Sequence, residues 1–483
     1  MSKIDITVGG ELAQAFHFIG IGGVHMSGLA EILHKNGFCV TGSDRNSSDN
    51  TARLWLAGIA AVIGHDAANI PADARPVVVY NAAIPADNPE IAAAKQRGLH
   101  LISRAQLLGL LMQNYDSAIC VAGTHGKTST TSMLAAIFMQ AGTDPTVLSG
   151  GVLPMMGGAL RIGGRGVFIV EACEYHDSFL DFRPTTGVIL NIDMDHSDYF
   201  ADLAALERSF GKFAGLVPRG GCLVINNQIN GIERFTARPG LECNVTTFGQ
   251  GGVLRAENIS YNASGCGEFD VFNGDTHLGR ITLATPGAHN IENALAAITC
   301  AIHHDYGIDF ADIAKGLASC TGAVRRFQHI GKFCGCDVID DYAHHPTEIA
   351  ATLDAAKNIT HNKLWAVFQS HTNTRTRSFL PQFAQTLAAA DETIILDIFN
   401  PAGREEQDHV ISAEALVDEM RRLGAKARYS PSFAQAQDFL AENVAAGDMI
   451  VVMGAGDVGE LAKDLARDNM QLGQTSIKRC PSC

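Results

Sequence analysis

The chain has 483 residues, 46% of them hydrophobic and 18% charged, which is enough apolar side chain to bury a large core and a length that suits two to four domains. Acidic residues outnumber basic ones 51 to 36, and the net charge of -15 excludes nucleic acid as a main partner, because such binders carry a basic face. No apolar run approaches the roughly 18 residues a membrane helix needs, and the opening MSKIDITVGGELA lacks an apolar secretory segment, so a cytoplasmic protein without membrane insertion is expected.

In the first segment, taken as residues 1–115, FHFIGIGG (16–23) reads as a buried strand, VHMSGLAEILHKNG as a helix stopped by Gly37, and FCVTGSD (38–44) as a second strand. PVVVYNAAIP (76–85) and GLHLIS (98–103) complete a small parallel sheet. Gly20 and Gly22 fit the start of the dinucleotide fingerprint G-x-G-x-x-G, but His25 stands where the third glycine or alanine must allow close helix–strand packing. The pattern therefore weakens an NAD reading and leaves Asp44 to hold the ribose of another nucleotide or a similar diol.

The second segment, 116–323, restarts with SAICVAGT (117–124) and alternates strands with helices before short antiparallel-looking runs at 253–283. VAGTHGKTSTTSML (121–134) runs an apolar strand into a helix through Gly-Lys-Thr. Val121 replaces the first glycine of a full Walker A loop. Backbone N–H groups from Gly123 through Thr124, His125 and Gly126 to Lys127 can still cradle phosphate oxygens. Lys127 adds positive charge, and the Thr128 or Ser129 hydroxyl can ligate magnesium, so ATP binding is expected. VEACEYHDSF places Glu171 and Glu174 at one strand end, and LNIDMDHSDYF places Asp193, Asp195, His196 and Asp198 at the next. In a parallel sheet both ends fall beside the phosphate loop, as a metal and γ-phosphate site requires.

A third α/β segment, 324–483, begins with Arg325 and Arg326 of AVRRFQHIG. IDDYAHHPTEI then ends a strand in Asp340, Asp341, His344 and His345, before a helix with Pro346 at its first position. Helix capping explains part of that group, but two acids, two histidines and a tyrosine exceed what a cap needs. GAGDVG (454–459) matches G-x-G-x-x-G in full, yet the 24 residues after it cannot complete a dinucleotide unit, so a tight strand–helix turn is expected. The cysteines are scattered and suit reduced thiols, and Cys480 and Cys483 form a C-x-x-C in what reads as a mobile tail.

HFIGIGGVHMSGLAEIL, GTHGKTSTTSML, EACEYHDSFL, LNIDMDHSDYF, HNIENALAA, GAVRRFQ and DDYAHHPTEI together resemble the Mur ligases of peptidoglycan synthesis, and the resemblance runs in order from Gly20 to Gly459. The branch that adds L-alanine to UDP-N-acetylmuramate is the most similar. The resemblance implies an α/β fold of three domains: a Rossmann-like UDP-substrate domain, a P-loop ATPase-like domain with a mostly parallel sheet, and a C-terminal Rossmann-like domain that closes over the cleft. It implies ATP and Mg2+, with L-alanine and UDP-N-acetylmuramate as substrates and a monomer or homodimer as the working form. Gly20, Gly22, Gly23, Ser43, Asp44, Asn81, Ile84 and Pro85 would lie near the UDP-sugar. Asn290 and Asn293 would lie near ATP, with Asn293 at the adenine, and Asp341 would reach the ribose. Thr128, Glu171 and His196 would hold magnesium. Lys127 and Arg326 would stabilise the transferred phosphoryl group, while Tyr342, His344 and Arg375 would meet the amino acid and the reacting carboxylate, with His344 orienting or deprotonating the amine. Two stretches depart from the family pattern: SHTNTRT (370–376), with Ser370 for proline and Asn373 for tyrosine, and FNPAGREE (399–406). Both are expected near the amino-acid site, which leaves glycine or L-serine open as acceptors, as well as a preformed peptide in a recycling ligase, or a non-catalytic UDP-sugar sensor.

Overall fold

The computed structural model describes residues 4–81, 83–197, 199–303, 306–400 and 411–472. Asp198, residues 401–406 of the second divergent stretch, and the Cys480/Cys483 pair lie outside the described residues.

A short hairpin of β1 (Thr7–Val8) and β2 (Glu11–Leu12) precedes five parallel strands: β3 (Ala15–Ile19), β4 (Cys39–Asp44), β5 (Ala60–Ile63), β6 (Val77–Tyr80) and β7 (Leu101–Ser103). Their order is β5-β4-β3-β6-β7, so the chain reverses its direction of travel between β3 and β6, and the carboxyl ends of those two strands flank a crevice. The sequence pattern shows four of the five. β5 is an edge strand with mostly exposed side chains, and without a buried run it leaves no apolar signature.

The central sheet runs β10-β9-β11-β8-β12-β13-β14-β15-β16-β17. Its core comprises β8 (Ser117–Ala122), β9 (Thr146–Leu153), β11 (Val167–Ala172), β12 (Thr186–Ile189), β13 (Cys222–Asn226) and β14 (Asn244–Phe248), all parallel, with β10 (Gly158–Arg161) antiparallel at one edge. β8, β11, β12 and β13 are buried along their whole length, which is why they read as continuous apolar runs. β15 (Leu254–Tyr261), β16 (Cys266–Asn273) and β17 (Thr276–Pro286) extend the far edge.

The third sheet is ordered β18-β19-β23-β20-β21-β22. β19 (Cys336–Asp341), β20 (Leu364–Phe368), β21 (Glu392–Leu396), β22 (Ala427–Ser430) and β23 (Met449–Met453) are parallel, and β18 (Gln328–Phe333) pairs antiparallel with β19. β23 enters last in sequence but lies between β19 and β20, so the ends of these three strands gather Asp341, Gly454 and Gln369.

By compactness the chain forms two units: residues 1–256 with 271–279 and 292–320, and residues 257–270 with 280–291 and 321–483. No described helix is long and apolar enough to cross a membrane.

Candidate active site

The phosphate loop is shaped by backbone that only glycine tolerates. Gly126 has φ +82° and caps the helix Lys127–Gln140, and a Cβ there would run into the Asn293 side chain. Gly123 has φ +149°, and its Cβ would meet Leu190 at 2.9 Å. The loop is laced to the end of β12: His125 N–H donates to Asn191 Oδ1 (2.8 Å), Asn191 Nδ2 donates to the His125 carbonyl (3.1 Å), and Thr124 Oγ1 donates to the Asp193 carbonyl (3.0 Å). Asn191 was not among the expected site residues. Its signal is a polar side chain at the very end of an apolar strand.

Lys127 is largely buried and donates to the Gly123 carbonyl, to the Thr124 carbonyl at 3.1 Å and to Glu174 at 3.0 and 3.3 Å. Burial pulls its ammonium down, but the charge and hydrogen bond of Glu174, together with the charges of Cys173 and Glu171, outweigh this and raise it, so the lysine stays charged. Glu174, 1% exposed, also faces His196 Nε2 at 3.7 Å, and His196 in turn lies 4.0 Å from Asp195 Oδ2 and under the ring of Tyr175. Glu171 plays a separate part: it accepts from the Thr128 hydroxyl (3.0 Å), the Ser149 hydroxyl (3.1 Å) and the Gly150 N–H (2.5 Å). The structure thus brings Thr128 to Glu171 and pairs His196 with Glu174. Asn293 closes the loop from the side, where Thr130 Oγ1 donates to its Oδ1 at 3.3 Å, whereas the Asn290 amide donates to the Pro286 carbonyl at 2.7 Å.

In the other unit the paired arginines and paired histidines have divided their roles. Arg325, at φ +61°, is structural: Nε donates to Asp340 (3.2 Å), Nη1 to the Gly456 carbonyl (3.0 Å) and Nη2 to the Gly454 carbonyl (2.6 Å), which pins the GAGDVG turn as a tight strand–helix connection. Arg326 sits over the Tyr342 ring at 5.2 Å and 3.9 Å from Glu348. His345 caps the helix Pro346–Lys357, its Nδ1 accepting the Thr347 N–H at 3.3 Å. His344 Nδ1 lies 3.0 Å from the Tyr342 carbonyl and 3.1 Å from Glu348 Oε2. Both partners only accept, so Nδ1 carries a proton, and in the neutral tautomer the lone pair lies on Nε2. Asp341 is buried and accepts the Phe327 and Ala343 N–H groups, each at 2.7 Å. Burial lifts its carboxyl to about 6 against the opposing pull of Arg326. Arg375 lies on the short helix Asn373–Ser378, and Ser370, the proline replacement, is buried with its hydroxyl 2.6 Å from Thr376 Oγ1.

In the first domain the glycine turn lies at the β3/β6 crevice, where a Cβ on Gly20 (φ +80°) would meet Ile84 at 3.2 Å and Asn81 at 3.6 Å. The turn's own amides are already taken: Gly20 and Ile21 N–H bond the Ser43 carbonyl, Gly22 N–H bonds Asp44 Oδ2 at 2.8 Å, and Gly23 N–H bonds the Gly20 carbonyl. An anion is left the first turn of the helix Val24–Lys35. Asp44 is therefore partly committed to holding the loop. The Ser43 side chain is fully buried, bonded to Glu90 (2.8 Å) and His65 (2.9 Å), and supports the crevice from behind.

A phosphate loop opening a buried helix, with a lysine held charged and carboxylates at the neighbouring strand ends, defines a nucleotide-dependent enzyme built on doubly wound α/β sheets. Family models cover most of the chain: residues 15–116 match the Mur ligase family catalytic domain, 121–301 the Mur ligase middle domain, and 325–456 the Mur ligase glutamate ligase domain. The chain belongs to the Mur ligase family, whose members are ATP-dependent amide ligases, and its three α/β domains are those of the family. It is 46% identical over 453 residues, 93% of its length and 97% of the relative's, to the UDP-N-acetylmuramate–L-alanine ligase of Agathobacter rectalis. To that of Clostridium acetobutylicum it is 44% identical over 94% of its length and 97% of the relative's. Among solved structures it is similar to UDP-N-acetylmuramate-alanine ligase MurC from Thermotoga maritima (TM-score 0.77, 26% identity, 95% of this chain and 99% of that one). It is also similar to the murein peptide ligase of Psychrobacter arcticus (TM-score 0.70, 26% identity, 96% and 100%).

Proposed function

We infer that this chain joins L-alanine to the lactyl carboxylate of UDP-N-acetylmuramate with ATP, through an acyl phosphate, in peptidoglycan precursor synthesis. The relatives of that name at 44 to 46% identity carry the choice of acceptor, and the charged Lys127 in a glycine-shaped phosphate loop is the observation that carries the chemistry.

In this reading the substrate carboxylate attacks the γ-phosphorus of ATP in line and ADP leaves. Lys127, released from part of its contact with Glu174, neutralises the charge spreading over the transferred phosphoryl group, and Arg326 contributes a second positive charge. The amine of L-alanine then attacks the acyl phosphate carbonyl. With Nδ1 turned to Glu348, the neutral tautomer of His344 would offer its Nε2 lone pair to the proton that the ammonium must lose before the amine becomes a nucleophile, while Glu348 would hold the ring and stabilise the imidazolium. The tetrahedral intermediate collapses to amide and phosphate. Tyr342 and Arg375 would orient the amino acid, Asp341 would hold the ribose and Asn293 the adenine.

The residues fit magnesium. The Thr128 hydroxyl and the Glu171 carboxylate stand 3.0 Å apart as hard oxygen donors. Among the described residues no group of three or more His, Cys, Asp or Glu stands together to hold a metal ion, so magnesium here would need water and substrate phosphates as further ligands. Bound by Thr128, Glu171 and His196, it would neutralise charge on the β- and γ-phosphates. A cytoplasmic location agrees with the ten free thiols among the described residues.

The test is phosphate release from ATP with UDP-N-acetylmuramate and, separately, L-alanine, glycine, L-serine and a preformed peptide, with product masses recorded. Greatest turnover with L-alanine and a product heavier by one alanine residue is expected. Turnover confined to the peptide would make the protein a recycling ligase, and no turnover with any acceptor would make it a sugar-nucleotide sensor.

A further inference from the structure

Arg104 opens the helix Arg104–Met112, whose first turn contains no acidic residue. A cation at the positive end of a helix is unfavourable unless an anion joins it. The side chain is only half-buried, and its single hydrogen bond runs from Nη1 to Nδ1 of His25 at 2.9 Å. Among the described residues no carboxylate pairs with it. His25 offers no counter-charge, because burial and then the Arg104 charge push its pKa down to about 3. With Nδ1 accepting, the ring proton sits on the buried Nε2. A half-buried guanidinium with five donors thus has one of them used on a neutral ring, which leaves the others to meet an anion.

Packing ties this cation to the phosphate loop: the helix that carries His25 lies against β9, where a Cβ on Gly28 would meet Leu148 at 2.7 Å, and the next residue of that strand, Ser149, donates its hydroxyl to Glu171, which also accepts from Thr128. In the opposite direction His25 is two residues from Gly23 and the sugar-nucleotide turn. The anion that belongs between a UDP-sugar turn and a γ-phosphate loop is the carboxylate that receives the phosphoryl group.

We propose that Arg104 binds the lactyl carboxylate of UDP-N-acetylmuramate, its guanidinium held in place by the hydrogen bond to the His25 ring. The assignment rests on the sugar-nucleotide reading above, and the experiment separates the two. Calorimetry without ATP compares UDP-N-acetylmuramate with UDP-N-acetylglucosamine, which has the same nucleotide and sugar but no lactyl carboxylate. Arg104→Met is expected to weaken the first by about ten- to a hundred-fold, the range for a charge-assisted hydrogen bond, and to leave the second unchanged. Equal weakening of both would assign Arg104 to the diphosphate, and no weakening of either would leave it without a ligand; each result overturns the proposal. Should Arg104→Met melt far below the parent, Arg104→Lys, which keeps charge and loses the fork, is expected to show the same selectivity on a smaller scale. If the parent itself binds neither compound, the sugar-nucleotide reading fails first.

Discussion

Replacing Lys127 by Met keeps the aliphatic stem and removes the ammonium, and two consequences of different origin follow. The first concerns stability. Glu174 is 1% exposed and loses its closest ionic partner at 3.0 Å. Breaking a buried pair costs roughly 3–5 kcal/mol, and because His196 Nε2 lies 3.7 Å away and can carry compensating charge, about 3 kcal/mol is expected here. The second concerns catalysis: without the positive charge on the transferred phosphoryl group, kcat should fall by at least about 10²–10³. UDP-N-acetylmuramate affinity, which depends on the first domain, should not change. The double variant Lys127→Met/Glu174→Gln removes the orphaned charge, so it should regain most of the lost melting temperature and none of the lost turnover. Phosphate release, calorimetry and thermal melting on the four proteins of the cycle read these separately. Recovery of turnover in the double variant would show that the lysine only neutralises Glu174, and the phosphate-loop assignment would have to be withdrawn.

Glu171→Gln weakens a hard oxygen donor, so the magnesium concentration for half-maximal activity should rise by at least about tenfold while thermal stability at saturating magnesium stays close to the parent's; an unchanged magnesium dependence would place the ion elsewhere. The carboxyl of Asp341 titrates at about 6, above its ordinary 3.8, so the ionised form that would hold the ribose is lost as pH falls through about 6. The KM for ATP should rise on that acid limb, and the limb should vanish in Asp341→Asn. Glu90 behaves in the opposite sense: burial alone would raise its carboxyl, but hydrogen bonds from His17, Asn69 and Ser43 hold it down at about 2, against an ordinary 4.5. A depressed carboxylate stabilises the fold above its unfolded value and loses that contribution as pH falls from about 4.5 to 2, here on the order of 3 kcal/mol. Glu90→Gln should lower the melting temperature at pH 7 and narrow its gap to the parent as pH falls from about 4.5 toward 2, a gap that would stay constant if the network contributed nothing. Scattering profiles with an ATP analogue and UDP-N-acetylmuramate together should show compaction relative to the free protein, and identical profiles would count against domain closure over the reacting groups.

Much of this protein is local. A phosphate loop is one contiguous strand–turn–helix, so GTHGKTS discloses its strand, its glycine conformations and its lysine without any distant residue, and the buried central strands announce themselves because parallel strands covered on both faces are apolar throughout. The departure at His25 is equally visible in the sequence, as a side chain where close packing asks for none. Roles that depend on partners far along the chain are a different matter. Lys127 meets Glu174 rather than Glu171 because β11 lies beside β8 in the sheet and the chain continues past the strand end before it turns back. Arg325 and Arg326, and His344 and His345, are neighbours of the same chemical type. Only the surrounding carbonyls, Glu348 and the Thr347 amide separate the anchor from the charge and the cap from the base. Ser43 looks like a ligand in sequence and is a buried brace in space, since Glu90, 47 residues later, claims its hydroxyl. Hydrogen bonds are short and directional, so a side chain's function is settled by which donor or acceptor comes within about 3 Å, and strand order brings those partners together over distances in sequence that no local pattern spans.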